Sequence, residues 1–428
     1  MSKTAVFYGA GQNAADNYAK WVSNGISPVC FIDSDIKKQN TKFLSSGLDI
    51  LPIEAAIDVY SDFDVYITPT RDKWDSIVTE LLKHGIDLKS IKLFEPLEYR
   101  LGCYNMGKCY ISHDSIGVCC SPEYMKKLEL EASQDQRINF ERYNKQSSEV
   151  ISKWRNNEPS VCDGCPNLEY GFWELNPVIE ILNISSKQGG DFCNTKCMYC
   201  VQFPKPGQRD YENRRREVVS LLKTAHEVYP EHEFRVVVSG GDIAVAPYRD
   251  ELFNLLEDYG WVADIYSNSV VFCEGVADKL ADGHSTYITT LDSTNKKKFA
   301  EIKGVNCLPK VLENIKRYSN AAVDKRQIKI KLIVLDGVYG TFDEMSGVVD
   351  FAESIGSELM LSCNVERISE RMSTNMAALA NQWVEYALSK GIPVNIMYDH
   401  FNNNDIMVLK ERFEGSGEFA TSSNQRFA

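Results

Sequence analysis

The stretch Cys193-Asn-Thr-Lys-Cys197-Met-Tyr-Cys200 sets three thiols in CxxxCxxC spacing directly after an apolar run, Pro177 to Ile184. That run reads as a buried strand, so the thiols stand on the loop at its carboxyl end. Three thiolates on so short a loop can each hold one iron of a cubane, whereas a [4Fe–4S] cluster takes four ligands. One iron is then left open, and an open metal position is where chemistry happens. Zinc is the competing reading, but structural zinc wants four closed ligands, usually as two CxxC-like pairs.

The rest of the composition supports metal or redox chemistry. Thirteen cysteines occur in a chain with no export signal, where disulfides are not expected. Nine of them lie between Cys103 and Cys200; Cys30, Cys273, Cys307 and Cys363 are scattered and read as small core residues. With 428 residues, two or three domains are expected. The net charge of −13 and the lack of a basic stretch argue against nucleic acid or an anionic membrane as partner. Lys296-Lys297-Lys298, the densest basic run, reads as a solvated helix start. No stretch is long and apolar enough to span a bilayer, and a cytoplasmic location is expected.

Residues 1–98 read as an α/β unit. Thr4-Ala-Val-Phe-Tyr8 is a strand, Gly9-Ala-Gly11-Gln-Asn-Ala14 a GxGxxA turn opening a helix, and Val29-Cys-Phe-Ile-Asp33 a second strand ending in an acid. The logic is that of a dinucleotide fold. Gly9 and Gly11 let backbone approach a phosphate at a helix N-terminus, and Asp33 would meet a ribose hydroxyl. This Rossmann-like unit is similar to small domains fused to enzymes of surface-sugar assembly. A bound nucleotide or nucleotide-sugar and a purely structural role both remain open.

Residues 177–400 alternate strands and helices, the pattern of a parallel sheet, and 401–428 read as a tail. In such folds functional residues gather at the carboxyl ends of strands. There the CxxxCxxC loop, with Tyr199 before its last cysteine, resembles the signature of the radical S-adenosylmethionine (SAM) superfamily. Ser239-Gly240-Gly241-Asp242 resembles that family's Gly-Gly-Glu motif, with the shorter Asp in place of Glu. Ser267-Asn268 and Leu291-Asp292-Ser293, with Ile302-Lys-Gly304 and Asn314-Ile, also resemble its pattern. The resemblance implies a partial (β/α)6 barrel and a cluster on Cys193, Cys197 and Cys200. It also implies SAM near Tyr199, Gly240, Gly241, Asp242, Ser267, Asn268 and Asp292. No catalytic side chain is assigned beyond the cluster.

Residues 99–176 form a second cysteine-rich region. Cys103…Cys120 resembles the hairpin of the auxiliary-cluster domains called SPASM or twitch, and Cys162-Asp-Gly-Cys165 their CxxC pair. The resemblance implies a second [4Fe–4S] cluster on Cys103, Cys120, Cys162 and Cys165. Three departures stand out: Ser115 replaces the turn glycine, Cys109 and Cys119 are extra candidates, and the region precedes the core. Zinc on the same thiols is the alternative. The leading expectation is an α/β radical SAM enzyme, with a reductant such as flavodoxin or ferredoxin. Its expected substrate is a small polar molecule, a sugar or nucleotide-sugar, undergoing epimerisation, dehydrogenation or elimination. The alternatives are a SPASM-type peptide or protein maturase and a zinc-stabilised binding module.

Overall fold

A computed structural model of the chain describes residues 4–44, 46–60, 62–70, 73–94, 97–111, 115–118, 128–165, 168–174, 179–184, 192–200, 211–364, 370–397, 400–401 and 405. It divides into two compact units, each discontinuous in sequence: Met1–Cys103 with Glu149–Val178, and Tyr104–Ser148 with Ile179–Ala428.

In the first unit β1 (Thr4–Tyr8), β2 (Pro28–Ile32), β3 (Thr41–Lys42), β4 (Asp49–Leu51), β5 (Phe63–Ile67) and β6 (Ile91–Lys92) form one sheet in the order β3-β4-β2-β1-β5-β6. Only β3 runs antiparallel to its neighbour. The five parallel strands therefore lie in the order third, second, first, fourth, fifth, the order of a doubly wound dinucleotide sheet. Helices α1 (Gln12–Ser23), α2 (Ile53–Val59) and α3 (Trp74–Lys83) connect them. The apolar residues of α3 recur at helical spacing, and Trp74, Ile77, Val78 and Leu81 are buried among β1, β2 and β5.

A ribbon of β7 (Leu97–Gly102) and β11 (Glu169–Glu174) completes this unit. Phe172 of β11 joins the same core, its ring 4.9 Å from that of Trp74. The boundary expected at residue 98 is therefore not a structural one, because the N-terminal core takes a side chain from far along the chain.

The second unit holds a ten-stranded sheet. Its strands are β8 (Lys108–Ile111), β9 (Ser115–Gly117), β10 (Glu129–Glu131), β12 (Ile181–Ile184), β13 (Arg235–Val238), β14 (Val262–Ser267), β15 (Thr286–Thr290), β16 (Ile328–Val334), β17 (Glu358–Cys363) and β18 (Val394–Ile396). From β12 to β17 six strands pair in parallel in chain order, as expected for the partial barrel, and β18 extends the run. On the other flank β8 adds in parallel to β12, and β9 and β10 follow antiparallel. The hairpin expected in the cysteine-rich region thus exists as β8–β9. It belongs to the barrel sheet, so residues 99–176 are split between the units and form no domain of their own.

The stretch from Tyr124 to Arg155, rich in Glu, Gln, Lys and Asn, reads in the sequence as one polar helix, whereas α4 covers Gln136–Arg155 and β10 precedes it. The connecting helices are α5 (Tyr211–Val228), α6 (Arg249–Asp258), α7 (Glu274–Leu280), α8 (Lys296–Lys303), α9 (Leu308–Ala321), α10 (Asp343–Ile355) and α11 (Thr374–Ser389). Their ends follow ordinary chemistry. Asn295 caps α8 by accepting from Lys297 and Lys298, Ser373 caps α11 from Met376, and Gly304 and Gly356 close α8 and α10 in the left-handed conformation. No described helix is long and apolar enough to cross a membrane.

Candidate active site

The cysteine loop after β12 is clamped from two sides. The Asp242 amide donates to Phe192 O at 2.5 Å, and at Gly241 (φ +82°) an added Cβ would stand 2.6 Å from that same oxygen. On the other side the Lys196 and Met198 amides donate to Lys303 O and Ile302 O, each at 2.9 Å. Gly304 (φ +67°) leaves room for Lys196, whose Cβ and carbonyl oxygen lie 2.9 Å from where its Cβ would be. Two glycines are required here by close approach of backbone, and both lie beside the thiols.

Within the loop Thr195 is buried, and its Oγ1 lies 3.2 Å from Cys193 Sγ and 3.5 Å from Cys197 Sγ. The Cys200 amide donates to Cys197 O at 3.0 Å, closing the turn. Asn268, just beyond β14, reaches across: its Nδ2 is 2.6 Å from Asn194 Oδ1, 3.4 Å from Thr195 Oγ1 and 3.5 Å from Cys193 Sγ. Two thiols are thereby drawn to one hydroxyl and one amide.

Two buried carboxylates stand at the strand ends and differ in their partners. Asp292, after β15, is fully buried and accepts from Lys303 Nζ and Tyr199 OH, each at 2.9 Å, on one oxygen. Its other oxygen accepts from the Ile333 amide at 3.3 Å. Lys303 also donates to Tyr199 OH at 2.6 Å. Burial opposes the Lys303 charge, but Asp292 and the nearby Cys197 and Cys193 hold its pKa above the ordinary lysine value. Burial and the Asp292 charge push the Tyr199 phenol well up, so it stays a donor. Asp292 thus fastens the loop through Tyr199 and Lys303.

Asp242 is the other case. Its Oδ1 accepts from Ser267 Oγ at 2.8 Å and the Ala244 amide at 3.1 Å, while its buried Oδ2 has no hydrogen-bond partner among the described residues. Burial raises this carboxyl to about 6. A narrow cleft, lined among others by Phe192, Gly240, Asp242, Tyr248 and Tyr266, opens beside it.

Residues 188–352 match the family model described as the radical SAM superfamily. That segment of the chain is a radical SAM domain. Curated proteins offer no match to the sequence. Among solved structures the chain is similar to SuiB from Streptococcus suis bound to S-adenosylmethionine, at 14% identity and a TM-score of 0.39, over 62% of this chain and 54% of that one. It therefore spans about half the length of that structure. It is also similar to native anSMEcpe with bound AdoMet, at 18% identity and a TM-score of 0.38, over 51% of this chain and 64% of that one. A third likeness is to a radical SAM methyltransferase from Sphaerobacter thermophilus, at 13% identity and a TM-score of 0.35, over 48% of this chain and 63% of that one.

A radical SAM domain implies a [4Fe–4S] cluster and SAM. Among the described residues no group of three or more His, Cys, Asp or Glu side chains is gathered tightly enough to hold a metal ion. The donor set nevertheless fits a cluster, because Cys193 and Cys197 already converge on Thr195 within a loop whose backbone is fixed at both sides. The orphaned Asp242 Oδ2 and the bare Gly240-Gly241 backbone beside it fit an ammonium-bearing ligand.

The remaining sequence-derived candidates are placed as follows. Cys103, Cys162 and Cys165 lie in the first unit, with the Cys165 amide donating to Cys162 O at 2.9 Å in a tight turn. Cys120, like Cys119, lies outside the described residues. Cys109 is buried on β8, and burial pushes its thiol well up, as befits a core residue. Gly9 (φ +102°) faces Pro69 and Thr68, where its Cβ would stand 2.6 Å from Pro69 Cγ. Gly11 caps α1. Asp33 is buried, and its oxygens accept from the Ala10 and Asp35 amides and from Lys38 Nζ, at 2.8, 2.9 and 3.1 Å.

Sequence reasoning did not single out Thr195, Lys303 or Lys331 as site residues. Lys303 carried a signal, since it lies inside the quoted Ile302-Lys-Gly304. Lys331 carried only strand alternation.

Proposed function

We propose that this chain is a radical SAM enzyme acting on a small polar substrate, with a sugar or nucleotide-sugar as the substrate class tested first. The observation that carries the reading is the Cys193–Cys200 loop, held at the carboxyl ends of a parallel sheet by Gly241, Asn268, Asp292, Lys303 and Gly304. Cys193, Cys197 and Cys200 would hold the cluster, which when bound supplies the electron that splits SAM into methionine and a 5′-deoxyadenosyl radical. The chain's own work is positioning. Asn268 and Thr195 supply hydrogen bonds at the sulfur positions, and Asp242 offers a buried oxygen to an ammonium group at the glycine turn. An ammonium there would lower the Asp242 pKa and hold the carboxylate ionised.

The doubly wound order of β4-β2-β1-β5-β6 supports the sugar or nucleotide-sugar reading. Against a dinucleotide in the usual pose stands Asp33, whose oxygens are engaged by the chain itself. A second cluster on Cys103, Cys162, Cys165 and Cys120, and reduction by a flavodoxin or ferredoxin, belong to the same proposal.

After anaerobic purification the chain should carry roughly eight irons and as many sulfides, as two cubanes require. Cys197→Ala should retain about half of them and make no 5′-deoxyadenosine with SAM and dithionite. Zinc without sulfide, or 5′-deoxyadenosine formation surviving the substitution, would overturn the reading. Thermal shifts with nucleotide-sugars against extended peptides then separate a sugar enzyme from a peptide maturase.

A further inference from the structure

The interior of the barrel carries charges that the cysteine loop does not use. Register places them on one face. Tyr266 pairs with Ile288, Ile288 with Lys329, Thr290 with Lys331, Lys331 with Met360, Met360 with Asn395 and Ile333 with Ser362. Residues level with one another on parallel strands share a face, so these side chains line the lumen. Deep in it the charges are matched: Arg235 meets Asp264 at 2.7 Å and Lys329 meets Glu358 at 3.6 Å.

Lys331, two residues nearer the mouth than Lys329, breaks that pattern. Among the described residues no carboxylate and no hydrogen-bond acceptor meets its Nζ, which instead leans across β15 to 5.5 Å from the centre of the Tyr266 ring. The closest acidic group at that level, Asp292, is already taken by Lys303. The polar groups at neighbouring positions of this face, on β15, β17 and β18, are uncharged. Ser362 Oγ and His400 Nδ1 are 2.7 Å apart, and Asn395 is buried with an Oδ1 that has no partner among the described residues. Burial and the Lys331 charge lower His400 to about 3, so it is a neutral partner there. Lys331 is itself lowered to about 8 by burial, so it still carries its charge at neutral pH. Lys331 is partly buried. An isolated ammonium in such a place is costly unless a ligand supplies the counter-charge.

We propose that Lys331 anchors an anionic group, a carboxylate or a phosphate, on the substrate that enters the barrel, with Thr290, Ser362, His400 and Asn395 as its polar surround. This rests on the radical SAM reading for the identity of the ligand as a substrate, but the anion site itself does not. Lys331 stands three residues short of the end of β16, roughly 10 Å along the strand below its carboxyl end. A molecule bridging the two places therefore presents its anionic end at the lysine and its remainder toward the mouth.

The test uses the anaerobically purified full chain, with inorganic phosphate, acetate and SAM as separate probes in calorimetry at constant ionic strength. Wild type should bind phosphate or acetate saturably, and Lys331→Met should weaken that binding roughly tenfold or more, as expected for losing a charged hydrogen-bond donor. Its SAM affinity should stay within about threefold of wild type. Equal anion binding by the two proteins, or no anion binding by wild type, overturns the proposal. So does a large loss of SAM affinity without an effect on the anions, which would give Lys331 to the SAM carboxylate. Should Lys331→Met not fold, reductive methylation of wild type decides: phosphate must protect Lys331, and equal labelling with and without it refutes the site. Iron content and 5′-deoxyadenosine formation report on the cluster separately, so failure of one reading is distinguishable from failure of the other.

Discussion

Burial pushes the Asp242 carboxyl up to about 6, against the pull of Ser267 and of the Ala244 and Asn268 amides on its ionised form. The folded value lies above the ordinary 3.8, so the folded chain binds this proton more tightly than the unfolded chain does. Its stabilising contribution is complete below pH 3.8 and is lost as the pH rises through about 6. At neutral pH the ionised group then costs about 3 kcal/mol relative to acid. Asp242→Asn should remove that dependence. Urea denaturation of the ligand-free chain from about pH 4 to pH 7 should show wild type losing stability relative to the variant, and parallel curves would contradict this. Asp292, also fully buried, is bonded on both oxygens, by Lys303 and Tyr199 on one and by the Ile333 amide on the other.

At the scale of the element, the cysteine loop depends on the end of α8. Gly304 both ends that helix in the left-handed conformation and makes room for Lys196. Gly304→Ala should cost about 1–2 kcal/mol from the backbone conformation alone, and it must also push Lys196 away. Gly283 is a matched control: its φ is +80°, and its nearest neighbour, Val323, is 4.0 Å away. Gly283→Ala carries the conformational cost without displacing the loop. Iron bound per chain should fall in Gly304→Ala and hold in Gly283→Ala at equal far-UV dichroism; equal iron in both would show that the loop tolerates the shift. Most of these elements were legible beforehand, because their signals are local. The strand Thr4–Tyr8 has the bounds that periodicity gives, and residues 177–400 alternate strands and helices as their pattern does. The region from Tyr124 to Arg155 was not, because its polar composition resembles one long helix while Glu129–Glu131 pairs with β9 through contacts distant in sequence.

At the scale of the whole molecule, chain order and spatial order part company. Phe172 enters the N-terminal core from β11, beyond nearly all of the cysteine-rich segment that follows β6. Phe172→Ala should destabilise that core by about 3–5 kcal/mol. Hydrogen exchange should register the loss in the amides of β1, β2 and β5, while those of β14 to β16 keep their protection. Uniform loosening of both sets would mean that the two units unfold as one. By the same reasoning a fragment ending at residue 98 lacks part of its own core.

The sequence by itself determined the alternation of strands and helices and the loop that carries Cys193, Cys197 and Cys200. Hydrophobic period, turn glycines and ligand spacing act over a few residues, and nothing distant is needed to read them. Only the tertiary structure decided which ladder β8 joins, that Phe172 completes the first unit, and that Asp33 is satisfied by Ala10, Asp35 and Lys38. It alone showed that Asp292 has a lysine and Lys331 has no carboxylate among the described residues. Those outcomes turn on which groups are buried together, and burial is a property of neighbours in space that strand alternation in one chain does not encode.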